Sequence, residues 1–212
     1  MDEPRVDERP DRRQLLLGLG RGALRVGLAG GAVAAAGALF RRAALPRPVE
    51  QAATGILRPP GALAAEHDFL AACVRCNLCA QACDTGCIRL LGPFEGRHAG
   101  TPWILAEERA CNLCLACTRA CPSGALTPLA EPRDVRMGLA VVDERLCVSH
   151  NGTGACGACH TVCPYRNEAI TQGLYNAPTV HAEHCVGCGL CEEACIVEDR
   201  KAIRVTTERS WS

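Results

Sequence analysis

Four times along this chain cysteines recur at one spacing, and that repeat constrains the fold more than any other feature of its 212 residues. Cys73, Cys76, Cys79 and Cys83 form C-x2-C-x2-C-x3-C, and Cys111, Cys114, Cys117 and Cys121 repeat it with identical intervals. Cys147, Cys156, Cys159 and Cys163 keep the C-x2-C-x3-C end but stretch the first interval to eight residues. Cys185, Cys188, Cys191 and Cys195 return to the unstretched form, so the runs use sixteen of seventeen cysteines. Aromatic residues make up 3% of the chain, too few large rings to fill a core alone, so a compact fold needs disulfides or bound metal. The 23 basic and 23 acidic side chains cancel, which gives no support to nucleic-acid binding by phosphate neutralisation.

The spacing resembles the bacterial ferredoxin run, in which cysteines two residues apart wrap one cubane cluster and the last reaches the neighbouring cluster. Two-residue intervals let a short loop turn three thiolates onto one inorganic cube. Small residues in the intervals, here Gly157, Gly187 and Gly189, let backbone N–H groups approach the sulfurs. The Cys-Pro that follows such runs appears at Cys121-Pro122 and Cys163-Pro164, while Asp84 and Ile196 take that place in the first and fourth. Zinc needs four ligands in two pairs and gives no reason for a third cysteine two residues on and a fourth three further. Disulfides between cysteines two residues apart are awkward in geometry. The cofactors expected are therefore four [4Fe-4S] clusters, bound by the sixteen cysteines.

Cys87 is left over. Aligning the segments after each run places it where Ala125, Ala169 and Ala202 stand in the other three, so it is expected to pack as a small hydrophobe and not to act as a seventeenth ligand. Cys156-Gly157-Ala158-Cys159-His160 matches the C-x-x-C-H haem signature, but both cysteines are in register with the sister runs, and no methionine stands nearby as an axial ligand. His67, His98, His150, His181 and His184 fall before the runs or in loops, where solvent-facing roles are expected.

Between the runs lie brief β-favouring stretches: Trp103 to Leu105, Leu139 to Val142, Pro178 to Val180 and Ile203 to Val205. Glycine, proline and asparagine precede the first three as turn signals. Each unit reads as strand, cysteine loop, short helix and strand, and two units make a small ferredoxin module. The expected fold is α+β: two bacterial-ferredoxin-like 2[4Fe-4S] modules over 66–130 and 131–212, preceded by a signal or anchor over 1–42 and a linker over 43–65. The approach to the first run, Glu66 to Ala72, reads as helix with Phe69, Leu70 and Cys73 on one side, and offers no outer strand. Adjacent pairing of the runs and nested pairing, first with fourth and second with third, both remain open.

Arg12-Arg13-Gln14-Leu15-Leu16 is a twin-arginine pair before a Gly/Ala-rich apolar stretch, which runs uninterrupted by charge from Val26 to Phe40. It resembles a twin-arginine export signal, and that route suits a protein whose clusters are assembled before export. Cleavage near Ala34 to Ala38 and retention as an anchor are both open.

The signal, the four runs, the stretched third run and the phrases Leu57 to Ala62, Asp68 to Cys76 and Met137 to Asp143 together resemble the NapG/MauM family of ferredoxin-type proteins. The resemblance implies a periplasmic carrier of four [4Fe-4S] clusters. Such a carrier would relay electrons from the quinone pool, or from a membrane ferredoxin partner that oxidises quinol, to a periplasmic oxidoreductase of a nitrate-reductase-like or methylamine-dehydrogenase-like system. It also implies export by the twin-arginine machinery. No nucleotide-binding glycine loop, flavin site or nucleophile with its base is recognisable, so an electron carrier is expected and not an enzyme. The alternative is an accessory protein whose clusters serve maturation of the partner enzyme, with the loop from Val148 to Ala155 as a docking feature or a tolerated insertion.

Overall fold

The computed structural model describes residues 55–207, which fall within one compact unit. The twin-arginine segment and the linker up to residue 54 lie outside the described residues. Within them no helix is long and apolar enough to cross a membrane.

The first element, α1 (Glu66–Ala72), carries Glu66 and Asp68 in its first turn, where a helix favours negative charge, and buries Phe69 completely. Four single-turn helices follow the cysteine loops: α2 (Leu78–Gln81), α3 (Ala116–Ala120), α4 (Ala158–Val162) and α5 (Leu190–Glu193). Six strands pair into three two-stranded antiparallel sheets. β1 (Ile88–Leu90) pairs with β2 (Pro102–Ile104), and β4 (Ile170–Gln172) with β5 (Pro178–Val180), as local hairpins. β3 (Leu139–Val142) pairs across a long sequence separation with β6 (Ile203–Thr206), setting Val142 opposite Ile203.

This topology answers the pairing question. In the second half β3 and β6 enclose the β4–β5 hairpin and α4 packs on α5, so the third run meets the fourth. In the first half α2 packs on α3, so the first run meets the second. The outer pair there shrinks to a bridge between Ala62 and Leu126, sealed by Leu63 N–H to Ala125 O at 3.1 Å and Thr127 N–H to Gly61 O at 2.7 Å. The sequence offered no outer strand at this place because α1 occupies it.

Cysteine supplies much of the interior. Cys79, Cys87, Cys111, Cys117, Cys159 and Cys188 are buried in one apolar cluster with Phe69, Met137, Leu113 and Leu115. No disulfide joins any of the seventeen cysteines.

Candidate functional site

The cysteine loops hold an unusual backbone. Left-handed residues flank the middle cysteine of three runs: Arg75 and Asn77 around Cys76, Leu113 and Leu115 around Cys114, Gly187 and Gly189 around Cys188. In the third run Gly157 plays the same part after Cys156. For a leucine this conformation costs roughly 1–2 kcal/mol, so it persists only where the surroundings demand it. Here it turns three thiols of one loop toward a common point.

Three groups of converging thiols are each completed by the last cysteine of the neighbouring run. Cys185, Cys188 and Cys191 line a solvent-open cleft of about 410 Å³ together with Cys163. Cys147, Cys156 and Cys159 line another, of about 370 Å³, with Cys195. Cys73, Cys76 and Cys79 line a third, of about 350 Å³, with Cys121. Among the described residues no three His, Cys, Asp or Glu side chains are placed to hold a single metal ion. The thiols instead converge in groups of four, a soft donor set that fits a polynuclear iron–sulfur group. Among the remaining thiols, Cys83 Sγ lies 3.5 Å from Cys87 Sγ.

Burial pushes the Cys79, Cys159 and Cys188 thiols up to about 11 and Cys117 to about 12, with neighbouring thiols adding to the effect. Such sulfurs ionise only against a compensating cation, which the iron of a cluster supplies. Backbone N–H groups already point at other sulfurs of the four runs. Leu126 donates to Cys121 Sγ at 3.4 Å, Ala202 to Cys195 Sγ at 3.4 Å, Leu113 to Cys111 Sγ at 3.4 Å and Ala158 to Cys156 Sγ at 3.5 Å. Bonds of this kind set the potentials of iron–sulfur clusters.

The two halves meet at cysteine loops. Cys111 N–H donates to Cys188 O at 3.0 Å, and Ala110 N–H donates to Glu193 Oε2 at 2.8 Å. The second and fourth loops are thus neighbours.

Comparison with known proteins agrees with the iron–sulfur character of these loops. A 4Fe-4S dicluster domain model matches residues 72–125 and 110–167, and a 4Fe-4S binding domain model matches 178–198. The methylamine utilization ferredoxin-type protein MauM of Methylobacillus flagellatus is 42% identical over 209 residues, covering 93% of this chain and 84% of its own length. The chain belongs to the MauM and NapG ferredoxin-type proteins. MauM of Methylorubrum extorquens is 45% identical over 160 residues, covering 70% of this chain and 71% of its own. The ferredoxin-type protein NapG of Escherichia coli is 42% identical over 168 residues, 72% of this chain and 71% of its own. No solved structure matches. As a ferredoxin-type protein the chain is an iron–sulfur electron-transfer protein with multiple 4Fe-4S clusters.

Three features of this ferredoxin-type chain depart from the sequence reading or were missed by it. His98 was expected to face solvent but is buried, within 3.3 Å of both Arg58 Nη2 and Glu66 Oε1. Arg58 is itself buried, bonds Glu66, Thr101 Oγ1 at 2.9 Å and Pro102 O at 2.6 Å, and lies 4.6 Å from the Phe69 ring centre. Nothing in the local sequence marks this network, because the hydrogen-bonding partners of Arg58 lie 8 to 44 residues from it. Asp84, where proline was expected, ties the first run to the second. Its carboxylate accepts from Asn112 Nδ2 at 3.1 Å and lies 3.6 Å from Cys114 Sγ, and the Asn112 bond holds it below the usual carboxylate range. The stretched loop of the third run folds back on itself, with Gly154 N–H on Val148 O at 3.0 Å and Cys156 N–H on the buried Ser149 hydroxyl at 3.0 Å. That closure lets Cys147 and Cys156 reach the same cleft despite the insertion.

Proposed function

We propose that the protein is a periplasmic electron relay holding four [4Fe-4S] clusters, bound by Cys73, Cys76, Cys79 and Cys121; by Cys83, Cys111, Cys114 and Cys117; by Cys147, Cys156, Cys159 and Cys195; and by Cys163, Cys185, Cys188 and Cys191. The convergence of three thiols from one run with the last thiol of its partner run carries this reading. The thiols would hold clusters there, and these would supply one-electron transfer without breaking bonds to a substrate. The chain's part is to hold the thiolates, direct N–H groups at sulfur and keep the interior dry.

The contact between Cys111 and Cys188 supports a linear order: the first-run site, the second, the fourth, then the third. Cys76 and Cys114 are exposed, which favours the first half as the side where one redox partner approaches. The donor proposed is the quinone pool or a quinol-oxidising membrane ferredoxin, and the acceptor a periplasmic oxidoreductase. Relatives named for methylamine utilization favour an amine-oxidising system, and NapG relatives a nitrate-reducing one. Delivery across the membrane would use the twin-arginine machinery, with the pair at Arg12-Arg13 as its signal.

A deletion strain tests the relay against a maturation role. A strain that makes fully active, cofactor-complete partner enzyme yet cannot pass it electrons supports the relay. A strain whose partner enzyme lacks its cofactor overturns it.

A further inference from the structure

One side chain at the first-run cleft stands against the habits of its residue type. Asn77 directly precedes α2, where an asparagine ordinarily accepts a hydrogen bond from a first-turn N–H, and it makes no such bond. Asn77 instead lines the cleft of Cys73, Cys76, Cys79 and Cys121, and its Oδ1 is buried with no hydrogen-bond partner among the described residues. A buried acceptor left unpaired is costly and calls for an explanation.

The matching positions in the other two clefts carry no side chain. Gly157 lines the cleft with Cys195 and Gly189 the cleft with Cys163, and both share the left-handed backbone of Asn77. A Cβ would meet Gln172 Nε2 at 2.5 Å from Gly157 and Ala106 Cβ at 2.5 Å from Gly189, so neither place has room for an amide. Of the three clefts, the first-run cleft alone has a side-chain amide in its wall.

A carboxamide carries an acceptor and two donors on one planar group, and a half turn about its last torsion exchanges them. Thiolate and sulfide sulfurs only accept. A cluster held in this cleft therefore favours the orientation with Nδ2 on the buried side, and the same half turn takes Oδ1 out of its unpaired position. Arg75 lines the same cleft and donates to the carbonyls of Ala99 and Arg97, with no carboxylate partner among the described residues, so its positive charge acts in the same sense as an N–H donor.

We propose that Asn77 is a potential-setting residue, whose carboxamide donates Nδ2–H to a sulfur of the cluster in the first-run cleft and makes that cluster easier to reduce. The proposal rests on reading Cys73, Cys76, Cys79 and Cys121 as its ligands. Reduction adds negative charge to the cluster, so a donor at sulfur stabilises the reduced form more than the oxidised one and raises the potential.

The test is an EPR-monitored redox titration of the anaerobically purified full chain and its variants, with iron content measured beside it. Cys121→Ser, which alters one ligand, assigns the signal of the first-run cluster. Asn77→Leu copies Leu115, which holds the same left-handed position in the second run, and Asn77→Gly copies the third and fourth runs. Both should keep about sixteen iron. In both, the first-run cluster alone should become harder to reduce, by about tenfold in the ratio of reduced to oxidised cluster at a fixed potential, which is about 59 mV. Asn77→Asp, similar in shape but without the N–H, should shift at least as far in the same direction. Solvent access also moves such potentials, and leucine covers the cluster where glycine uncovers it. Shifts of opposite sign in these two variants assign the effect to water and overturn the proposal, as does an unchanged potential in variants with full iron. Should one variant lose iron, the other decides. A wild type well short of sixteen iron overturns the ligand reading and the proposal with it.

Discussion

Gly187, between two cysteines of the fourth run, lies directly against the backbone of Gly138 at the start of β3. A Cβ on Gly187 would come within 2.5 Å of the Gly138 nitrogen and run into its carbonyl oxygen, and φ at Gly187 is +72°. Both the space and the dihedral demand glycine. The contact fixes where the Cys185 to Cys191 loop stands relative to the β3–β6 sheet.

Gly187→Ala should therefore displace that loop. The loss expected is about 1–3 kcal/mol from backbone strain, before any effect on the ligands. Thermal unfolding under anaerobic conditions measures it, and iron analysis should show partial loss of one cluster. Gly86→Ala, where an added Cβ meets nothing within 4 Å, is the control for the dihedral cost alone. Equal melting temperatures for the two variants would contradict the packing argument.

Arg58→Met removes a guanidinium that serves Glu66, Thr101 and the Pro102 carbonyl while stacking on Phe69. Glu66 would be left with its charge poorly compensated in a largely buried place. Breaking a buried pair this way costs roughly 3–5 kcal/mol. Phe69 lines the cleft with Cys73, Cys76, Cys79 and Cys121, so the first-run site should lose iron before the others. Denaturant titration and iron-resolved EPR check both parts, and a stability within about 1 kcal/mol of wild type sinks the argument.

His98 predicts a dependence on pH. Burial lowers its pKa, Glu66 opposes this, and the nearby Arg58 and Arg97 guanidinium groups lower it further. The folded chain thus binds the His98 proton less readily than the unfolded chain, whose value is about 6.5. The stability this contributes is fully present above about 6.5 and is lost as pH falls through the lower folded value. Melting temperatures of wild type should drop more steeply between about pH 7.5 and 5.5 than those of His98→Gln. Identical slopes would show that His98 does not titrate as its surroundings require.

Much of this architecture was legible in the sequence. The β3 and β6 strands stand out as Leu139 to Val142 and Ile203 to Val205, and α1 as an apolar side carrying Phe69. The cysteine intervals locate every loop because they repeat. Which run completes which site was not legible, since that choice depends on α2 meeting α3 and α4 meeting α5, contacts that no local pattern records. The left-handed turns at Leu113 and Leu115 were hidden for a related reason. Their residue type argues against the conformation, and the fold imposes it. Cys87 is buried, as its alignment with Ala125, Ala169 and Ala202 suggests, but the sequence did not reveal that its sulfur lies 3.5 Å from that of Cys83.

Removal of the clusters is the most general test, because the rest of the molecule is built from pieces too small to stand alone. The longest helix among the described residues has seven residues and the strands three or four. Isolated helices shorter than about 12 residues are marginal in water, and so are two-stranded hairpins. Buried cysteines take places in the core that larger apolar side chains would otherwise fill. Bonds from thiolate to iron would then supply cohesion directly, and binding free energy would be folding free energy. Anaerobic chelation of iron should abolish near-UV circular dichroism and the cooperative melt over residues 73–195, while cluster reconstitution with iron and sulfide should restore both. A cluster-free chain that melts at the same temperature and with the same cooperativity as the loaded protein would show that the apolar contacts suffice by themselves.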